Sequence, residues 1–124
     1  MSELVFITGA SSGIGQALAL RYYRDGARLA LVARRTAEVE RWAAEQGLDA
    51  ARVRVYGADV ADLDAMARTG RDCIAAQGLP DVVIANAGIS IGIDSTQFDA
   101  LDVMRRTFAT NNIGLAATFH PFVA

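Results

Sequence analysis

A three-layer α/β fold, a doubly wound parallel sheet with helices on both faces, is predicted by three observations. Short apolar runs without strict alternation, as expected of strands buried on both sides, recur along the chain. Segments of helical period separate them, so strands and helices alternate in the manner of parallel sheets. The stretch FITGASSGIGQAL, residues 6–18, places Gly9, Gly13 and Gly15 directly after the first apolar run, marking a tight passage from strand to helix. A chain of 124 residues, 52% of them hydrophobic, fits one domain over 1–124 with a real core.

The first strand is read at 4–7, followed by a helix from about Gly13 to Asp25-Gly26, with Ile14, Ala17, Leu18 and Tyr22 facing inward. RLALVA at 28–33 is the second strand. Thr36 is expected to cap a helix reaching about Gln46, with Val39, Trp42 and Ala43 inward and Gly47 closing it. RVRVYGADV at 52–60 holds the third strand. Asp62 caps the next helix, whose Leu63, Met66, Ala67, Gly70, Cys73 and Ile74 keep a three-four spacing as far as Gly78.

DVVIANAG from Asp81 is read as strand four, leaving the sheet at 86–88. Thr96 and Asp99 resemble a capping box for a last helical stretch with Leu101, Met104 and Phe108 on one face. It is interrupted by TNNIG at 110–114 and stays apolar through Phe119. Right-handed crossovers then put the strands in the order 3-2-1-4, with ligand expected at their carboxyl ends, between strands one and four.

Composition excludes several function classes. Twelve basic against 14 acidic residues give a net charge of −2, which offers no footprint for nucleic acid or an anionic membrane. Every basic residue is Arg, so no lysine nucleophile or Walker-type Lys is present. A single Cys73 rules out an intrachain disulfide or a cysteine-rich metal site, and a reduced cytoplasmic setting is expected. No segment has the length and apolarity of a membrane span, and MSELVFITG runs into the first strand without a signal-peptide pattern.

The glycine segment has a chemistry of its own. Gly9 turns the chain out of the strand, Gly13 and Gly15 remove side chains where a ligand and the helix come close, and Ser11 and Ser12 add hydroxyls. A helix N-terminus presents free amides and the positive end of its dipole to a phosphate. The spacing G-x-x-x-G-x-G differs from the G-x-G-x-x-G fingerprint, and by itself it fits a plain strand-to-helix turn equally well.

TGASSGIG at 8–15, NAG at 86–88 and N-x-x-G at 111–114, in that order, resemble the short-chain dehydrogenase/reductase family over essentially the whole chain. The resemblance implies a Rossmann-type sheet whose glycine loop, here Gly9, Ser11, Ser12, Gly13, Ile14 and Gly15, holds the pyrophosphate of NAD or NADP. It also implies that Asp59 meets the adenine amino edge, that Val60 contacts the ring, and that Asn86, Ala87 and Gly88 lie beneath the adenosine ribose. At the end of strand two, where NAD binders place a carboxylate, stand Ala33, Arg34 and Arg35. A guanidinium can grip a 2′-phosphate bidentately, so NADP is the expected cofactor, with Arg34 the first contact and Arg35 beside it.

Family members move hydride between nicotinamide and a carbonyl or alcohol using Ser and Tyr-x-x-x-Lys, supported by an Asn. That Asn corresponds to Asn111, with Asn112 one position off. Tyr22, Tyr23 and Tyr56 are followed by no Lys. The chain is therefore expected to stop before the fifth strand and the catalytic helix, as the cofactor-binding portion of an NADP-preferring reductase that is inactive alone. Its partners would be the dinucleotide, a small carbonyl or alcohol, and a further copy of itself across the open edge of strand four. The competing reading is a non-catalytic dinucleotide-binding or interaction module. A methyltransferase-like domain is disfavoured, because it would want a carboxylate where Ala33 stands. His120 and Trp42 read as packing or surface residues.

Overall fold

The computed structural model describes residues 3–86 and 114–122; the expected helix from Thr96, the Ala87-Gly88 turn and the Asn111-Asn112 pair lie outside them. Strands β1 (Leu4–Thr8), β2 (Arg28–Ala33), β3 (Val53–Gly57) and β4 (Val82–Ile84) alternate with helices α1 (Gly13–Arg24), α2 (Thr36–Glu45) and α3 (Leu63–Ala76). After the undescribed stretch come a short helix α4 (Gly114–Phe119) and a 3-10 turn, His120–Phe122. All strand pairs are parallel and the order is β3-β2-β1-β4, as handedness demands.

Successive side chains of a strand point to opposite faces, so β1 feeds two cores at once. Leu4 and Phe6 join Val32, Tyr56, Val60, Met66, Cys73 and Ala117 beneath α3 and α4. Val5 and Ile7 join Leu29, Leu31, Ala19 and Val39 beneath α1 and α2, with Leu18, Tyr22 and Trp42 packed at the margin. Phe122 meets Phe6 edge-on at 4.7 Å between ring centroids, bringing the chain's last described residues back to the central strand.

Several inward assignments need correction. Ile14 is 71% exposed and Ala17 is also exposed, while Ala19 and Gly15 are the buried residues of α1. Ile14 sits in the first turn of α1, whose buried residue is the next one, Gly15, set against the Gly9 carbonyl and Asn86. Leu63, the first residue of α3, and Ile74 are likewise exposed; the buried face is Met66, Thr69, Gly70 and Cys73. Thr36 is the first residue of α2 and not its cap, which falls at Arg35 with no capping side chain.

The sheet is pinned at its amino ends as well. The Leu4 amide donates to Asp81 Oδ2 at 2.8 Å. Arg52 donates to the carbonyls of Tyr23 and Ala27 at 2.7 and 2.9 Å with its guanidinium 3.8 Å from the Tyr23 ring centroid. These contacts stand at the opposite ends of the strands from the glycine loop.

Candidate functional site

Gly9 follows β1 with φ 68°, a conformation that side chains with a Cβ resist, and turns the chain away from the sheet. The Ala10 amide then donates to the Val32 carbonyl at 3.2 Å, tying the loop to β2. Ser12 caps α1: its Oγ accepts from the Gly15 amide at 3.1 Å and donates to the Gly9 carbonyl at 2.9 Å. Asn86, leaving β4, closes the loop from the other side, its Nδ2 donating to Ser12 Oγ at 2.9 Å and to the Gly9 carbonyl at 3.2 Å. The Asn86 amide donates to Thr8 Oγ1 at 3.2 Å.

This clasp divides the loop residues by role. A hydroxyl has one proton and two lone pairs, and in Ser12 all three are engaged within the loop. Ser12 therefore shapes the turn, and the exposed Ser11 retains the hydroxyl that faces outward. Gly15 has no room for a side chain, because a Cβ there would collide with the Gly9 carbonyl and Asn86 Nδ2. Gly13 differs: a Cβ there would meet nothing within 4 Å. The Gln16 amide donates to the Ser12 carbonyl at 2.9 Å, so the Gly13 and Ile14 amides precede the helical ladder. Two amides ahead of the ladder at a dipole's positive end suit a diphosphate group.

The neighbouring strand ends supply the rest. Ala33 is buried, while Arg34 and Arg35 are exposed. Arg35 reaches Glu38 Oε1 at 3.5 Å, whereas Arg34 makes no hydrogen bond or ion pair among the described residues. Asp59 Oδ1 accepts from the Ala61 amide at 3.0 Å in a small Asx turn. Val60 is 5% exposed and belongs to the core, so its side chain is mostly spent on packing. The structure thus brings the glycine loop, Arg34, Arg35, Asp59 and Asn86 to the carboxyl edge of one sheet.

The tyrosines lie elsewhere. Tyr22 and Tyr23 are near the far end of α1, where the Asp49 amide donates to Tyr23 Oη at 2.9 Å. Tyr56 donates to Gln77 Oε1 at 2.9 Å. Burial, aided by the adjacent Cys73, pushes the Tyr56 phenol up to about 12, and burial likewise raises the Cys73 thiol. Among the described residues no cluster of three or more metal-ligating side chains occurs and no helix is long and apolar enough to cross a membrane.

A parallel sheet in the order 3-2-1-4 with a glycine loop and open helix N-terminus at the central strand defines a Rossmann-type dinucleotide-binding domain. The short chain dehydrogenase family model matches residues 3–123. Among curated proteins, "Dehydrogenase/reductase SDR family protein 7-like" from Drosophila melanogaster is 37% identical over 121 residues, 93% of this chain and 36% of that protein. A 1-deoxy-11-beta-hydroxypentalenate dehydrogenase from Streptomyces arenae is 36% identical over 86% of this chain and 38% of its own. Among solved structures, an alcohol dehydrogenase from Thermococcus sibiricus, complexed with 5-hydroxy-NADP, aligns with a TM-score of 0.86 and 30% identity, covering 98% of this chain and 52% of that one. The chain belongs to the short-chain dehydrogenase family and carries that family's oxidoreductase fold. It spans little more than a third of the length of the two curated relatives named.

Proposed function

We propose that this chain seats NADP(H), in preference to NAD(H), for an oxidoreductase that moves hydride between nicotinamide and a small carbonyl or alcohol. The observation that carries the preference is the end of β2, where buried Ala33 supplies no carboxylate and exposed Arg34 has no competing partner among the described residues. Arg35 is the weaker candidate because Glu38 already engages it. The 5-hydroxy-NADP complex of the Thermococcus relative is consistent with the same chemistry.

In this reading the Gly13 and Ile14 amides and the Ser11 hydroxyl hold the pyrophosphate, while Gly9, Ser12 and Gly15 keep the loop in shape. Asp59 offers its second carboxylate oxygen to the adenine amino group, and Val60 borders the ring. Asn86, with Ala87 and Gly88, lies beneath the ribose. Bound dinucleotide supplies the hydride chemistry; the chain's contribution is to bind and orient it. Asn111 is assigned to the proton path serving the substrate oxygen, with Asn112 as its neighbour. A homo-oligomer in a reducing cytoplasm completes the proposal, supported by the half-buried apolar residues of β4 and the free thiol of Cys73.

Fluorescence titration of the chain with NADPH and NADH tests the assignment. NADPH binds more tightly, and Arg34→Ala weakens it about tenfold, the loss of one charge-assisted contact of about 1.4 kcal/mol, with NADH nearly unchanged. Equal affinities for the two dinucleotides in the unmodified chain would overturn the preference. NADPH oxidation over a panel of small ketones and aldehydes, run on the longest expressible open reading frame, reads out the reaction.

A further inference from the structure

The start of α2 is built unlike the starts of α1 and α3. Ser12 caps α1 through the Gly15 amide, and Asp62 caps α3 through the Ala65 amide at 3.1 Å. Arg35, at the corresponding place on α2, caps nothing with its side chain. Yet this uncapped start carries the two arginines. Three contacts describe how it is held. Ala33, the last residue of β2, lies in register with Gly57 of β3. The Ala58 amide donates to the Ala33 carbonyl at 3.2 Å, joining the two strand ends just before Arg34. On the far side of the turn, the methyl of Thr36 sits against Gly57 so closely that a Cβ added there would lie 3.0 Å from it.

Gly57 thus touches the arginine turn at both of its ends, through the sheet to Ala33 and through van der Waals contact to Thr36. Arg34 and Arg35 are the two residues strung between these anchors. With no capping bond, the depth to which the Thr36 methyl seats on Gly57 sets the angle at which the turn leaves the sheet. A bidentate guanidinium contact depends steeply on that angle. We propose that Thr36 and Gly57 are positioning residues for Arg34, and that their fit sets the preference for a 2′-phosphorylated dinucleotide over its unphosphorylated counterpart. This rests on the reading that Arg34 meets the 2′-phosphate.

The experiment is a titration of the full chain and its variants with NADPH and NADH, read as the ratio of the two dissociation constants. In Gly57→Ala the added methyl pushes Thr36 outward, and NADPH affinity falls about threefold to tenfold while NADH changes less than about twofold. Thr36→Ser in the same chain removes the opposing methyl and restores most of the ratio, a result that a general loss of stability would not produce. Should Gly57→Ala fail to fold, Thr36→Ser and Thr36→Val take its place. Serine drops the methyl and lowers the ratio about threefold; valine keeps the methyl and preserves it. A ratio unmoved by Gly57→Ala, in a chain where Arg34→Ala does lower it, overturns the positioning role and leaves the Arg34 reading standing. Thr36→Val lowering the ratio as much as Thr36→Ser shows that keeping the methyl does not keep the preference, and also overturns it. A ratio unmoved by Arg34→Ala removes the reading itself and this inference with it.

Discussion

Around Gly9, polar groups bond one another: the Ser12 hydroxyl, the Gly9 carbonyl and the Asn86 side-chain amide form a closed set that leaves the exposed Ser11 hydroxyl and the amides ahead of the helical ladder outside it. Around Arg34 the opposite holds, for the helix start has no capping side chain and the exposed arginines make, among the described residues, one ion pair, Arg35 to Glu38. The loop is suited to a feature every dinucleotide shares, since backbone donors in a fixed cradle read a diphosphate whatever lies beyond it. The turn is suited to a feature only some possess. In the proposed reading, the common seat and the selective arm can change independently, because no hydrogen bond of the clasp reaches the arginines.

That contrast can be broken most severely at Gly15. In Gly15→Ala the new methyl faces the Gly9 carbonyl and Asn86, neither of which yields cheaply, so the loop is displaced. A loss of about 2–3 kcal/mol in urea unfolding is expected, together with more than tenfold weaker binding of NADPH and NADH alike. Selective loss of one cofactor in that variant would contradict the shared-seat assignment. Asn86→Ala removes two side-chain bonds of the clasp but leaves Ser12 and Gly9 bonded to each other; about 1 kcal/mol of stability should go, with both affinities reduced in parallel. Arg34→Ala, by contrast, is expected to leave the unfolding midpoint in place.

The smallest effect probes the support behind the arginine turn through pH. Tyr56 precedes Gly57 and is held protonated by burial, its phenol at about 12 against 10 for an ordinary tyrosine. Between those values the unfolded chain releases a proton that the folded chain retains, so stability present below pH 10 declines as pH rises toward 12. The raised Cys73 thiol acts in the same direction. Urea midpoints measured from pH 8 to 11.5 should fall, and Tyr56→Phe should flatten the fall; an unchanged slope in Tyr56→Phe would move the effect to other groups.

Much of this was legible in the residues. RLALVA became β2 over 28–33 as read, since Gly26 and the arginine pair bracket the apolar run Leu29 to Ala33. Strand order followed from crossover handedness, which depends on backbone chirality more than on any side chain. What misled was the apolar spacing of helices at their ends: Ile14 and Leu63 carry the right period, but both are exposed, and the first turns bury Gly15 and Met66 instead. Thr36 carries the chemistry of a cap, yet the helix begins one residue earlier than that role requires. The Asn86 clasp spans 74 and 77 positions, and only the fold could show that Ser12 spends its hydroxyl inside the loop. Ala87, Gly88 and Asn111 lie outside the described residues, so their assignments rest on the family pattern.

The five residues of β1 are all fully buried, all five in register with β2 and the middle three also with β4, whereas β4 is half-buried along its length. Amide hydrogens of such a central strand exchange with solvent only when the whole domain opens, while those of the margins exchange through local fraying. Gly9 is the very next residue. The glycine loop is therefore mounted on the strand expected to open most slowly, and its shape should persist through fluctuations that loosen the outer strands.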